Sequence, residues 1–222
     1  MAIATTPSHP THGRARGALR ALTATASAAA VGAVLVLAPS PALADTALSG
    51  GSADWGVKES FRNYVSGFIA NGDYEATGGA SLNNDGTVSF PGDGGVLADD
   101  GSVDAAFSGG VVFTGHDYGN GPVLEIQVHN PRVEFDGTEA VIHAEVVSRP
   151  FDGVFQTTPN PLVDYGEIPV TELTGESLTV DGGEASFTST GGVLHEDAVE
   201  AFAGFYSAGT AMDPIDFTVS AN

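Results

Sequence analysis

Val123-Leu-Glu-Ile-Gln-Val128 decides the fold. Leu124, Ile126 and Val128 fall on one face and Glu125 and Gln127 on the other, the period of two that marks a half-buried strand. Outward from it the same signature recurs. Phe107-Ser-Gly-Gly-Val-Val-Phe-Thr-Gly-His116 alternates apolar with small residues, and Val133-Glu-Phe135 resumes after the Asn130-Pro131 break. Asp136-Gly137 reads as a hairpin turn, and Glu139 to Ser148 sets Ile142, Ala144 and Val146 on one apolar face. Ser177 to Val180 and Ala185 to Phe187 flank a second turn, Asp181-Gly182-Gly183. These short strands, with 30 glycines in 222 residues, predict a mainly β, antiparallel, β-sandwich-like domain. Two segments break the pattern. Val57, Phe61, Tyr64, Val65, Phe68 and Ile69 recur at helical steps, predicting a helix from Trp55 to Ala70 with Asp54 as its N-cap. Ala198, Val199, Phe202, Phe205 and Tyr206 predict a second from Glu196 to Ala208. One short helix is thus expected near each end of the mature chain.

The first 44 residues read as a signal peptide. Arg14, Arg16 and Arg20 precede an alanine-rich apolar run from Ala21 to Ala38, and Ala42-Leu43-Ala44 supplies small residues for cleavage between Ala44 and Asp45. Residues 45–222 then form a single domain, secreted or held at the cell surface. Only Lys58, Arg62, Arg132 and Arg149 balance 28 acidic residues there, a surface that repels nucleic acid and anionic membrane. No later apolar run is long enough to span a bilayer. The absence of cysteine excludes disulfides, thiolate metal sites and thiol nucleophiles.

Hydrolase motifs are missing: there is no Gly-x-Ser-x-Gly elbow, no His-Glu-x-x-His and no phosphate loop. With so many acidic residues a carboxylate-pair hydrolase stays open, as does a cofactor-free adhesion module, but neither has a specific signal. Of His116, His129, His143 and His195, none forms a close pair, which argues against a dedicated zinc site. His116 stands apart in its setting: it ends a strand beside the polar turn Asp117-Tyr118-Gly119-Asn120.

Several blocks together carry a resemblance. They are Trp55-Gly-Val-Lys-Glu-Ser-Phe-Arg-Asn-Tyr64-Val, Ala76-Thr-Gly-Gly-Ala80, Phe107 to His116, Leu124 to Val133, Ala201-Phe-Ala-Gly-Phe-Tyr206-Ser-Ala-Gly209 and Met212-Asp-Pro214. In this order they resemble the HtaA domain of actinobacterial haem-uptake proteins over essentially the whole mature chain. The resemblance implies a haem carrier of the Gram-positive cell surface, not an enzyme, whose cofactor is haem (ferric protoporphyrin IX). Its partners would be other haem-uptake proteins or a host haemoprotein. It implies that Tyr64 is the axial ligand to iron, that His116 hydrogen-bonds Tyr64, and that Tyr206 supports binding.

Residue chemistry agrees with that expectation. A tyrosine oxygen is a hard anionic donor suited to ferric iron, and a hydrogen-bond donor beside it helps hold the phenolate. Phe61 and Phe68, three residues before and four after Tyr64, are expected to line the porphyrin. Arg62, with Lys58, is expected to counter its propionates. Helical spacing alone fits core packing of Tyr64 equally well; the resemblance decides for the ligand.

Overall fold

The computed structural model describes residues 45–153 and 155–222, so the expected signal segment lies outside the described residues. In chain order, β1 (Thr46–Trp55) leads into α1 (Glu59–Val65), followed by β2 (Asp73–Thr77), β3 (Ser81–Leu82), β4 (Val88–Leu97) and β5 (Val103–Phe107). Next come β6 (Gly110–Asp117), β7 (Pro122–Phe135), β8 (Ala140–Ser148), β9 (Val163–Thr174), β10 (Ser177–Asp181), β11 (Glu184–Thr188) and β12 (Gly191–Leu194). The chain closes with α2 (Ala198–Ala201), β13 (Ala211–Met212) and β14 (Ile215–Ala221). All pairings are antiparallel, along the path β10-β11-β14-β1-β4-β5-β7-β8-β9-β12-β13, with β6 on β7, β2 on β6 and β3 on β4. This curled antiparallel sheet is the mainly β, sandwich-like architecture that the alternating pattern predicts, and both short helices are present.

β7 organises the sheet. Its first half pairs with β6 and its second half with β5, on the same edge, while β8 runs along the other edge. The switch occurs at a bulge: His129 faces Glu145 and Arg132 faces His143, so one extra residue sits on β7. Asn130, with φ +48°, makes the kink, and Gly109 holds it by exchanging hydrogen bonds with its backbone N–H and its side-chain oxygen. A bulge shifts which side chains face inward. Before it the even positions Leu124, Ile126 and Val128 are buried; after it the odd positions Val133 and Phe135 are. Ala140, Ile142, Ala144 and Val146 of β8 close on both sets. The turn at Asp136-Gly137 forms as the sequence predicts, the Asp136 carboxylate accepting from the Thr138 and Glu139 N–H groups.

Both helices are shorter than their apolar spacing predicts. Trp55 is not helical: it ends β1, fully buried, paired with Ile215 and Val88. Val57 adopts φ +61°, which a right-handed helix forbids. Asp54 is no cap either, since it lies in β1 and accepts from Asn83. The cap comes from far along the chain: the Asp213 carboxylate accepts from Glu59 N–H at 2.8 Å. After α1 the chain turns, and Phe68 and Ile69 leave the helical face. In the second segment Ala203 adopts φ +54° and reduces the predicted helix from Glu196 to Ala208 to Ala198–Ala201.

Candidate functional site

α1 has a buried side and a half-open side. On the buried side Phe61 is 1% exposed and packs on Phe113 (5.0 Å between centroids), Tyr206 (6.2 Å, edge-on) and Phe205 (6.5 Å). Complete burial of such a ring contributes about 1.5–3 kcal/mol, and it fixes the rotation of the helix. That rotation turns Tyr64 toward the end of β6, where its Oη lies 2.6 Å from His116 Nε2.

His116 is held in an unusual backbone state. It sits in β6 with φ +56°, a left-handed conformation that costs a side chain of this kind on the order of 1 kcal/mol and clusters at functional sites. Its N–H donates to Ala70 O at 2.7 Å, which ties the strand end to the loop after α1. Gly72 allows that approach, because a Cβ there would lie 1.8 Å from Thr114 O. The other ring nitrogen, Nδ1, lies 3.2 Å from Tyr118 Oη. Tyr118 is set by its turn, in which the Asp117 carboxylate accepts from the Gly119 and Gly121 N–H groups.

Tyr64, His116 and Tyr118 share a cavity of about 340 Å³ with Ile69, Phe151, Gln156 and Phe205. Phe205 approaches Tyr64 at 6.3 Å between centroids, and Phe151 stacks on Phe205 at 5.1 Å. The segment carrying Phe151 and Gln156 is pinned at its base. Arg149 grips the Glu125 carboxylate through Nε (2.9 Å) and Nη2 (2.8 Å) and also donates to Asn160 O. Burial, reinforced by the nearby Tyr118, pushes the Tyr64 hydroxyl above its ordinary range, so Tyr64 rests as a neutral phenol. Among the described residues the lining holds no lysine, arginine or carboxylate. The cavity thus sets apolar surface beside two phenol hydroxyls and an imidazole. Among the described residues no group of three or more histidine or carboxylate side chains converges as a metal site would require.

The other expected site residues lie elsewhere. Phe61 belongs to the core behind Tyr64 and does not line the cavity. Phe68 is 98% exposed, beyond the helix end. Arg62, expected to meet a ligand carboxylate, is instead 6% exposed, with Nη1 committed to the Asp213 carboxylate and Gly56 O. Lys58 donates to Ala211 O at 2.6 Å and sits over the Tyr206 ring at 5.0 Å. Tyr206 packs against Phe61, and burial raises its hydroxyl above the usual range. The sequence reading missed Ile69, Tyr118, Phe151, Gln156 and Phe205 as lining residues. Tyr118 had a signal, the polar turn beside His116; Phe151 and Gln156, in an aperiodic segment, had none.

Fold and site together define a sandwich-like binding domain built around one aromatic cavity with a tyrosine–histidine pair. The HtaA family model, described as Htaa, matches residues 50–218, and the chain belongs to that family. Membership makes it a binding domain and not an enzyme. Among solved structures the chain is similar to the C-terminal domain of HtaA from Corynebacterium glutamicum, at 33% identity and TM-score 0.69, over 80% of this chain and 99% of that one. It shares its fold with the heme binding protein HtaB from the same organism, at 24% identity and TM-score 0.68, over 80% and 96% of the two chains. The N-terminal domain of HtaA from that organism also shares the fold, at 24% identity and TM-score 0.68, over 79% and 98%. A comparison with curated proteins finds no match. No helix among the described residues is long and apolar enough to cross a membrane.

Proposed function

We propose that this chain binds ferric haem outside the cell and captures or relays it for uptake, with Tyr64 as the axial ligand. The observation that carries this reading is the 2.6 Å contact between Tyr64 and His116 at the wall of an aromatic cavity. Bound there, ferric protoporphyrin IX would supply an iron centre that takes a hard phenolate oxygen. In that state His116 Nε2–H would donate to the Tyr64 oxygen and orient it, the role that outer partners play around bound metals. Phe205, Phe151 and Ile69 offer apolar surface and exclude water, and Phe68, exposed beside Ile69, extends that surface. Tyr206 backs the site through Phe61. Arg62 and Lys58 are engaged within the protein, so neither would be available to pair with the propionates.

Export follows from the N-terminal segment, with cleavage between Ala44 and Asp45; the family match begins clear of it, at residue 50. Capture outside the cell brings the site together with haem in its ferric form. The partners are then other haem-uptake proteins at the cell surface or a host haemoprotein. A hydrolase of the carboxylate-pair type needs two carboxyl groups in its cavity, and the described residues that line this one carry none. Titration of the protein with ferric haem tests the proposal: a saturable Soret band with a tyrosinate-type charge-transfer band is expected. No Soret change at stoichiometric haem would overturn it.

A further inference from the structure

A single hydrogen-bonded chain runs from Tyr64 Oη through both ring nitrogens of His116 to Tyr118 Oη, with spans of 2.6 and 3.2 Å. A neutral imidazole has one donor and one acceptor nitrogen, so this chain has two consistent directions. Running outward, the Tyr64 hydroxyl donates to Nε2 and Nδ1–H donates to Tyr118. Running inward, the Tyr118 hydroxyl donates to Nδ1 and Nε2–H donates to the Tyr64 oxygen. The two tyrosines therefore compete to donate to one ring, and only one can win. A tyrosine oxygen bonded to iron has no hydrogen to give, and it requires the inward direction.

We propose that Tyr118 is the positioning residue that biases His116 toward the inward tautomer, the one that serves a ligating Tyr64. Three features support the role. Tyr118 is held by the Asp117 turn, so its hydroxyl is presented to the ring. The His116 and Tyr118 rings lie near-parallel, 30° apart with centroids at 6.2 Å. The left-handed backbone of His116 leaves the ring between the two hydroxyls, where the second of them decides the tautomer. Tyr118 is half-exposed at 53%, so water can renew its hydrogen bond from outside when the direction changes.

This role rests on the haem reading for its purpose, but its test begins without haem. The ring nitrogens of His116 are read by nitrogen-15 NMR of the ligand-free protein at about pH 8, where an ordinary imidazole is neutral. Tyr118→Phe is expected to move the ring toward the Nδ1–H tautomer, because Tyr64 then donates unopposed. Tyr64→Phe is expected to move it the other way. On ferric haem, Tyr118→Phe is expected to alter the charge-transfer band and speed haem loss to apomyoglobin about three- to tenfold, less than the 10–100-fold typical of a direct partner of a metal ligand. Unchanged nitrogen shifts in Tyr118→Phe, or shifts in the same direction as Tyr64→Phe, would overturn the assignment. Opposite shifts with an unaltered haem band and release rate would overturn its bearing on haem. Failure of the wild-type protein to bind haem would sink the functional reading and leave the ligand-free result standing by itself.

Discussion

Arg62 and Tyr64 sit two residues apart on one short helix and face opposite fates. Arg62 turns inward, where Asp213 and Gly56 hold its Nη1, and Asp213 also caps the helix through Glu59 N–H. Tyr64 turns toward a cavity, where its hydroxyl meets a histidine and retains the capacity for a second partner. Both side chains are polar and both belong to the same conspicuous block of sequence. What separates the two residues is whether the polar end is buried against partners within the fold or faces the cavity. A charge near a site is not a charge available to it.

Substitutions on either side should dissociate binding from stability. The largest effect is expected from Tyr64→Ala, which removes the only proposed protein bond to iron. The Soret band should be lost or severely weakened while the thermal transition stays within a few degrees of wild type; unchanged affinity would overturn the site. Arg62→Met should do the reverse. Removing one partner of a buried pair costs on the order of 3–5 kcal/mol, and the 18% exposure of the Asp213 side chain argues for the low end. Denaturant unfolding should show a loss of about 3 kcal/mol, with haem affinity of the folded fraction little changed. A large affinity loss without destabilisation would return Arg62 to the binding site.

Smaller effects sharpen the ranking. His116→Ala should weaken haem binding roughly 10–100-fold and shift the charge-transfer band, as loss of an outer partner does. If this variant loses haem completely while Tyr64→Ala keeps it, histidine is the axial ligand. Arg149→Met frees the base of the segment that carries Phe151 and Gln156, and haem dissociation should quicken by a few-fold with the ligand-sensitive band unchanged. Unaltered dissociation would show that this wall stands without its ion pair.

The same contrast explains what the sequence could reveal. Strands β7 and β8 were legible because burial on one face leaves an alternating record, and the Asp136-Gly137 turn because its chemistry is local. The contact between Tyr64 and His116 was legible through the family resemblance, not through spacing, which described the core-facing Phe61 equally well. The helix ends were misread because Trp55 and Phe68 continue a helical spacing after the backbone has left the helix: Trp55 is drawn into a sheet by β14 and β4. The fate of Arg62 depended on a residue 151 positions away, and the wall formed by Phe151 on an ion pair between Arg149 and Glu125. Distant partners of this kind leave no periodic trace. Of the expected site residues, Phe61 and Arg62 lie on the buried side of the helix that carries Tyr64.

The bulge in β7 also determines where this domain tolerates a change of length. A second residue inserted beside Asn130, with the bulge otherwise unchanged, would break the side-chain period of two, so that the two halves could no longer both face inward. Either Leu124, Ile126 and Val128 or Val133 and Phe135 would be turned to water, and with them the edge that pairs with β6 or β5. The exposed tip at Gly137, by contrast, has open space around it and no inward-facing neighbour to displace. Insertions should therefore be accepted at the hairpin tip and refused seven residues earlier, at the one position where a single strand serves both halves of the sheet.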